Sequence, residues 1–251
     1  MWARAWRRLI QLLLPARCAG CQQLGPEVVC ADCSAQLEAV GEPCCVRCGR
    51  RRLTEFASPD CAECHGESIG VVRARSLYVY AGIGRELLHQ YKFNGYLGAG
   101  RFLAERLAEW TEPGWPRRYG EPDLKLDAVV PVPLHPKRLR QRRFNQSLLP
   151  ARLLAEQHGL ACLPQGLVRT RETETQVGLS AAQRRDNVRG AFSVPATMLA
   201  ELTGKRVLLV DDLMTTGATL ASCARTLKRG GAAAVYGLTL FSTVHRIEPT
   251  E

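Results

Sequence analysis

The stretch VLLVDDLMTTGATL, Val207 to Leu220, decides the fold. Val207, Leu208, Leu209 and Val210 form an apolar run too short for a helix and without alternation, the pattern of a parallel strand buried on both faces. Asp211 and Asp212 follow at once, then Leu213, Met214 and the hydroxyl-rich run Thr215, Thr216, Gly217, Ala218, Thr219. The next residues, SCARTLKRGGA, have helical apolar spacing and a Gly230-Gly231 stop signal. The element therefore reads as strand, acidic pair, hydroxyl-rich turn and helix.

Each part has a chemical use. A turn at a helix N-terminus presents backbone N–H groups and the positive end of the helix dipole, and threonine hydroxyls add donors, so it suits a phosphate monoester. Gly217 lets the backbone approach closely, and two carboxylates at a strand tip can accept hydrogen bonds from the vicinal hydroxyls of a ribose. No Lys follows the glycine, which excludes a Walker loop. The stretch resembles the phosphoribosyl pyrophosphate (PRPP) motif of type I phosphoribosyltransferases. That resemblance implies that Asp211 and Asp212 hold the ribose hydroxyls while Thr215, Thr216, Gly217, Ala218 and Thr219 cradle the 5-phosphate. Relatives acting on 6-oxopurines usually carry an Asp base where Thr215 stands, so hypoxanthine or guanine is disfavoured as acceptor.

With 251 residues, 46% of them hydrophobic, the chain has material for one sizeable domain and a small one. A net charge of +10 favours polyanionic partners: nucleic acid, an acidic membrane surface or a phosphate-rich substrate. No apolar run approaches the roughly 18 residues of a membrane span, and a cytoplasmic protein is expected. The basic, apolar start MWARAWRRLIQLLLPARCAGC mimics a signal peptide, but Gln11 interrupts its apolar run and Arg17 and Cys18 suit no cleavage site. An amphipathic lead-in helix over residues 1–17, with Trp2, Trp6, Ile10 and Leu13 on one face, is the preferred reading.

Of 11 cysteines, nine lie between Cys18 and Cys64, and eight form CxxC pairs: Cys18/Cys21, Cys30/Cys33, Cys45/Cys48 and Cys61/Cys64. Such a pair holds half of a tetrahedral zinc, so four pairs supply two closed four-thiolate sites, structural rather than catalytic. A redox or disulfide role is the competing reading. The pairing of the knuckles stays open, Cys44 competes with Cys45 as ligand, and His65 is an outside candidate. The block over residues 18–68 resembles the double zinc ribbon found ahead of some phosphoribosyltransferase-like domains.

From Arg73 the pattern becomes that of an α/β domain, taken to run over residues 69–247. SLYVYAG reads as a strand, IGRELLHQYKF and AGRFLAERLAEWT as helices, with His89 structural and Lys92, before a turn, either reaching a phosphate or solvated, the second reading preferred. LDAVVPVPLH reads as a second buried strand, followed by the basic loop PKRLRQRRFNQS and the helix SLLPARLLAEQHG. A basic loop just after a buried strand lies where open α/β sheets place their ligand crevice.

PVPLHPKRLRQRRFNQS and LVRTRETETQVGLSAAQRRDNVRGAF resemble hallmarks of the competence protein F (ComF) family, also described as amidophosphoribosyltransferase-like. The first would be the pyrophosphate loop, with Pro131 to His135 at the strand end, Pro131, Val132 and Pro133 among them as PRPP contacts, and Arg138, Arg140, Phe144, Asn145 and Gln146 following. The second would be a hood over PRPP, with Arg169, Thr170, Thr175, Gln176, Leu179, Arg184, Asn187 and Phe192 at matching positions. The family pattern usually has Gly where Arg143 stands.

The expected architecture is a Rossmann-like parallel sheet of the type I phosphoribosyltransferase kind behind a zinc-ribbon module. The resemblance implies PRPP bound with magnesium, pyrophosphate as leaving group and a nitrogenous acceptor, with no residue standing out as the acceptor's base. It also implies a link to natural transformation, with single-stranded DNA and the uptake machinery at the inner membrane as partners. A non-catalytic DNA-binding or regulatory protein is the alternative.

Overall fold

The computed structural model describes residues 16–52, 60–61, 64, 70–112, 114–173 and 180–244. The expected lead-in helix lies outside these except for its last two residues, which are extended; Gln176, Thr175, Leu179 and His65 also lie outside. In chain order the elements are β1 (Ala16–Arg17), β2 (Leu24–Gly25), α1 (Ala31–Ala35), β3 (Ala74–Val79), α2 (Gly82–Phe93), α3 (Leu97–Thr111) and α4 (Trp115–Tyr119). There follow β4 (Ala128–Pro131), α5 (Pro136–Arg142), α6 (Leu148–His158), β5 (Ala161–Cys162), β6 (Val168–Arg169), α7 (Ala181–Val188) and β7 (Phe192–Ser193). A short 3-10 turn leads to α8 (Leu199–Leu202), β8 (Arg206–Met214), α9 (Ala218–Arg229) and β9 (Ala234–Ser242).

The apolar run of β8 sits at the middle of a five-stranded sheet of order β3-β9-β8-β4-β5, in which every neighbouring pair is parallel. Because strand side chains alternate, Leu208 and Val210 enter one core with Leu87 and Tyr91 of α2, Leu107 of α3 and Leu154 of α6. Val207 and Leu209 enter the opposite core with Leu220, Cys223 and Leu227 of α9. Both faces are thus covered, which is why the run carries no polar alternation.

The strand reaches further than the sequence suggests. It continues through Asp211 and Asp212 to Met214, because β9 keeps pairing it as far as Leu213↔Phe241 and Met214↔Ser242. On the other side β4 ends at Pro131, and the last rung is the Val132 N–H to the Val210 carbonyl at 2.8 Å. The acidic pair therefore lies where β8 has lost one neighbour and the carboxyl ends of the strands open a crevice.

The basic segment after β4 is a helix, α5, rather than a loop. Pro136 occupies its first turn and the His135 ring accepts a hydrogen bond from the Lys137 N–H at 3.4 Å, an N-cap that apolar periodicity does not reveal. Arg143 ends it in the left-handed region at φ 67°, where a Cβ is disfavoured and Gly is the ordinary residue. That is the physical reason for the glycine of the family pattern at this position.

The cysteine-rich segment packs on the sheet. The Val40 N–H donates to the Leu77 carbonyl and the Val79 N–H to the Glu38 carbonyl, so residues 38–40 cover the free edge of β3. Cys18 and Cys33 belong to the core on one face of the sheet, and Cys45, Cys48, Cys61 and Cys64 to the core on the other.

Candidate functional site

At the tip of β8 the two carboxylates have different surroundings. Asp212 is 8% exposed, and its Oδ1 lies 2.7 Å from Lys92 Nζ, itself largely buried at the end of α2. Lys92 is therefore an ion-pair partner of the acidic pair and not the solvated side chain expected from a polar position before a turn. Asp211 Oδ1 accepts from the Asp212 N–H at 2.9 Å and from Ser147 Oγ at 3.1 Å. Burial, and then the charge of Asp212, push Asp211 up to about 7, against the lowering pull of these donors and Lys92. One lysine faces two carboxyls, leaving acceptor capacity for hydroxyls or a cation.

Thr215, Thr216 and Gly217 turn the chain into α9. Gly217 is its N-cap at φ 78°, which a β-carbon would resist, and the Ala218 N–H reaches Thr216 Oγ1 at 3.4 Å. Ala218 is buried and Thr216 partly exposed, while Thr215, Gly217 and Thr219, also partly exposed, line a small hollow beside Asp211.

The segment FNQS shapes the facing wall. Asn145 Nδ2 donates to the Val132 carbonyl at 3.0 Å, pinning the loop of Pro131, Val132 and Pro133, and the Asn145 side-chain oxygen accepts from the Ser147 N–H at 3.1 Å. Tyr91 Oη donates to the Gln146 carbonyl at 3.0 Å, tying α2 to the same segment. Gly100 makes room for this ring: a Cβ there would stand 2.1 Å from Tyr91 Cε2.

Cations line this side. Arg142 donates to Gln146 Oε1 at 3.1 Å and stacks 5.0 Å from the Phe93 ring centre; its burial lowers its pKa while Asp212 opposes that. Arg138, Arg142 and Lys92 share a cavity of about 510 Å³ with Phe93 and Arg143. Arg138 donates to the Thr173 carbonyl at 3.4 Å. Arg169, 8% exposed in the antiparallel β6-β7 pair, bonds Thr173 Oγ1, yet its Nε has no hydrogen-bond partner among the described residues. Such an orphaned buried donor, near enough to Arg138 for each to feel the other's charge, fits an anionic ligand. Arg140 is exposed on α5, away from this convergence. Arg142 lies in the basic segment that the sequence already placed beside the crevice, whereas Lys92 and Ser147 are not distinguishable from ordinary polar residues in the sequence; the one available signal is that they flank predicted helix ends.

The thiols form two groups, Cys18, Cys21, Cys30, Cys33 and Cys45, Cys48, Cys61, Cys64, with the ligand atoms of each within 4.8 Å of one another. The knuckles therefore pair sequentially. Cys21 and Cys30 are 3.9 Å apart at sulfur and Cys48 and Cys61 3.7 Å, close to the edge of about 3.8 Å that zinc–sulfur bonds of about 2.3 Å give a tetrahedron. Cys44 stays outside: its thiol donates to Glu42 at 3.4 Å, and burial with the Glu42 charge pushes it up to about 11.

Comparison with known proteins finds relatives of both parts of the chain. Residues 9–65 match the double zinc ribbon domain and residues 151–250 the phosphoribosyl transferase domain. Competence protein F of Haemophilus influenzae is 30% identical over 215 residues, 85% of this chain and 90% of that protein. DNA utilization protein YhgH of Escherichia coli is 32% identical over 236 residues, 93% of this chain and 100% of that protein. Competence protein ComFC of Streptococcus pneumoniae is 27% identical over 220 residues, 84% and 86% of the two chains. Among solved structures, a PRPP amidotransferase from B. subtilis matches with a TM-score of 0.38 at 22% identity, over 60% of this chain and 30% of that one. An adenine phosphoribosyltransferase from Thermoanaerobacter pseudethanolicus matches with a TM-score of 0.34 at 18% identity, over 63% and 85%. Sheet, ribbon and domain matches define a phosphoribosyltransferase-type α/β protein with an N-terminal double zinc ribbon. The chain belongs to the competence protein F family. Among the described residues no helix is long and apolar enough to cross a membrane.

Proposed function

We propose that the chain binds PRPP with magnesium and transfers its ribose 5-phosphate to a nitrogenous acceptor, in a process that takes up or uses DNA. The observation carrying this reading is the acidic pair at the tip of the central strand, one residue-pair ahead of a threonine-glycine turn opening α9. Asp211 and Asp212 accept from the ribose hydroxyls, and the N–H groups and hydroxyls of residues 215–219 hold the 5-phosphate. The loop of Pro131, Val132 and Pro133, with Arg138 and Arg169, receives the departing pyrophosphate; magnesium, when bound, offsets its charge. Catalysis is then positioning plus stabilisation of charge as the anomeric centre becomes oxocarbenium-like. The DNA connection rests on relatives named for competence and for DNA utilization.

The pH dependence follows from Asp211, whose pKa is raised to about 7. An ionised carboxylate accepts from ribose hydroxyls more strongly than a protonated carboxyl, so PRPP affinity rises with pH through about 7 and falls by up to about tenfold per unit below it. The ligand-free fold responds oppositely. Between the ordinary value near 4 and about 7 the native state holds a proton that the unfolded chain releases, so stability declines as pH rises through that window. Titrating PRPP at several pH values checks this, with Asp211→Asn removing the inflection that remains after PRPP's own phosphate ionisation is subtracted. An Asp211→Asn profile identical to the parent's contradicts the assignment.

A second reading, a DNA-binding protein without transferase activity, draws on Phe93. Its ring is 62% exposed and flanked by His89 at 4.9 Å and Arg142 at 5.0 Å, a platform suited to an unstacked base. It predicts oligonucleotide binding that weakens steeply with salt and survives Asp211→Asn, without pyrophosphate release on any acceptor. Pyrophosphate release in the parent overturns it.

A further inference from the structure

Arg50 joins two parts of the molecule that the sequence keeps 165 residues apart. It follows the Cys45/Cys48 knuckle and is only 3% exposed. Its Nε lies 3.5 Å from Cys48 Sγ and its Nη2 3.8 Å from Cys61 Sγ, while Nη1 donates to the backbone carbonyl of Thr215 at 2.8 Å. Zinc held by four thiolates has a net charge of about −2, so a buried guanidinium beside it finds both a counter-charge and a fixed orientation.

The other end of the bridge holds a peptide plane. A trans peptide is planar, so its carbonyl and the following N–H point in opposite directions. Holding the Thr215 carbonyl toward the thiolates turns the Thr216 N–H away from them, and no acceptor among the described residues faces that N–H. Thr243 Oγ1 donates to the same carbonyl at 3.3 Å, a second and weaker hold.

We propose that Arg50 is a positioning residue for the phosphate turn, locking the Thr215–Thr216 peptide so that its N–H faces the 5-phosphate, and that the second four-cysteine site thereby sets ribose-phosphate affinity. This rests on the PRPP reading above and adds a role for the ribbon beyond stability. The coupling has a selective signature. The 5-phosphate is held by residues 215–219, where Arg50 grips a peptide carbonyl, whereas pyrophosphate is received by the Pro131 loop and its arginines.

The test titrates the full-length, zinc-replete chain and its Arg50→Met and Arg50→Lys variants with PRPP, ribose 5-phosphate and pyrophosphate, each with magnesium, and measures zinc per chain. Arg50→Met should keep its zinc and bind ribose 5-phosphate about ten- to hundredfold more weakly, the scale of one charge-assisted hydrogen bond. Pyrophosphate binding should change less than about twofold, within the spread of additive remote effects, and Arg50→Lys should recover part of the loss. Unchanged ribose 5-phosphate affinity in zinc-loaded Arg50→Met overturns the proposal, as does an equal loss for pyrophosphate. Should Arg50→Met lose its metal, Thr243→Val decides. It removes the other donor to the same carbonyl, and the proposal requires a selective ribose 5-phosphate loss of about two- to fivefold, one neutral hydrogen bond, with zinc intact. No loss there overturns it. A parent that binds no PRPP instead removes the functional reading on which the inference stands.

Discussion

Stripping zinc from the purified chain is expected to unfold far more than the cysteine-rich segment. Structural zinc contributes about 10–16 kcal/mol of folding free energy per site in zinc-finger peptides, on the scale of the whole stability of an ordinary domain. Here the second site is part of the main core. Cys45, Cys48, Cys61 and Cys64 are 0–3% exposed and share a cluster with Val130 of β4, Leu209 of β8 and Leu220 of α9. The first site reaches the other face through Cys18 and Cys33, beside Leu77 of β3 and Leu87 of α2. Chelation should therefore lower the melting temperature of the sheet itself, followed by circular dichroism alongside the metal count. The two sites should also differ. Cys45→Ser, at a fully buried position, should cost much more than Cys21→Ser, at an exposed one. A metal-free chain melting cooperatively at the holoprotein's temperature contradicts this account.

The central strand was legible because burial on both faces leaves an unbroken apolar run, and Val207 to Val210 carry it. The eight ligand thiols were legible for a covalent reason: a two-residue spacing by itself brings two sulfurs to one metal. Which knuckles pair was not, since tertiary packing on the two faces of the sheet decides it. Local rules also stop short at Met214. Nothing in DDLM announces a strand, and its pairing with Thr239 to Ser242 supplies the reason. Helix α5 was hidden because it has no buried residue and hence no apolar period, only a cap and a proline. Lys92 was misread for a related reason: a lysine looks solvated until a fold sets it against a carboxylate from 120 residues away. Arg50 and Ser147 carry no local signal at all; each matters for the atom it meets across the fold.

The acidic pair should show the second large effect. Asp211→Asn, Asp212→Asn removes both anionic acceptors, and losing two charge-assisted hydrogen bonds should weaken PRPP by at least about a hundredfold. The stability consequences run in opposite directions at the two positions. Asp211 is raised to about 7 by burial and by its neighbour, so above that pH its ionised form opposes folding and Asp211→Asn should stabilise the ligand-free chain. Asp212→Asn leaves Lys92 largely buried with a neutral amide in place of its carboxylate, which costs stability. Part of each change cancels in the double variant, so loss of binding can be read in a folded, zinc-loaded protein.

The most direct measurement is a calorimetric titration of the zinc-replete parent with PRPP and magnesium at pH 8, beside the Asp211→Asn, Asp212→Asn variant. Saturable one-to-one binding by the parent and none by the variant at the same concentrations is the predicted result. A folded, metal-loaded parent that gives no binding heat, or a variant that binds as the parent does, contradicts the assignment of this site to a ribose phosphate.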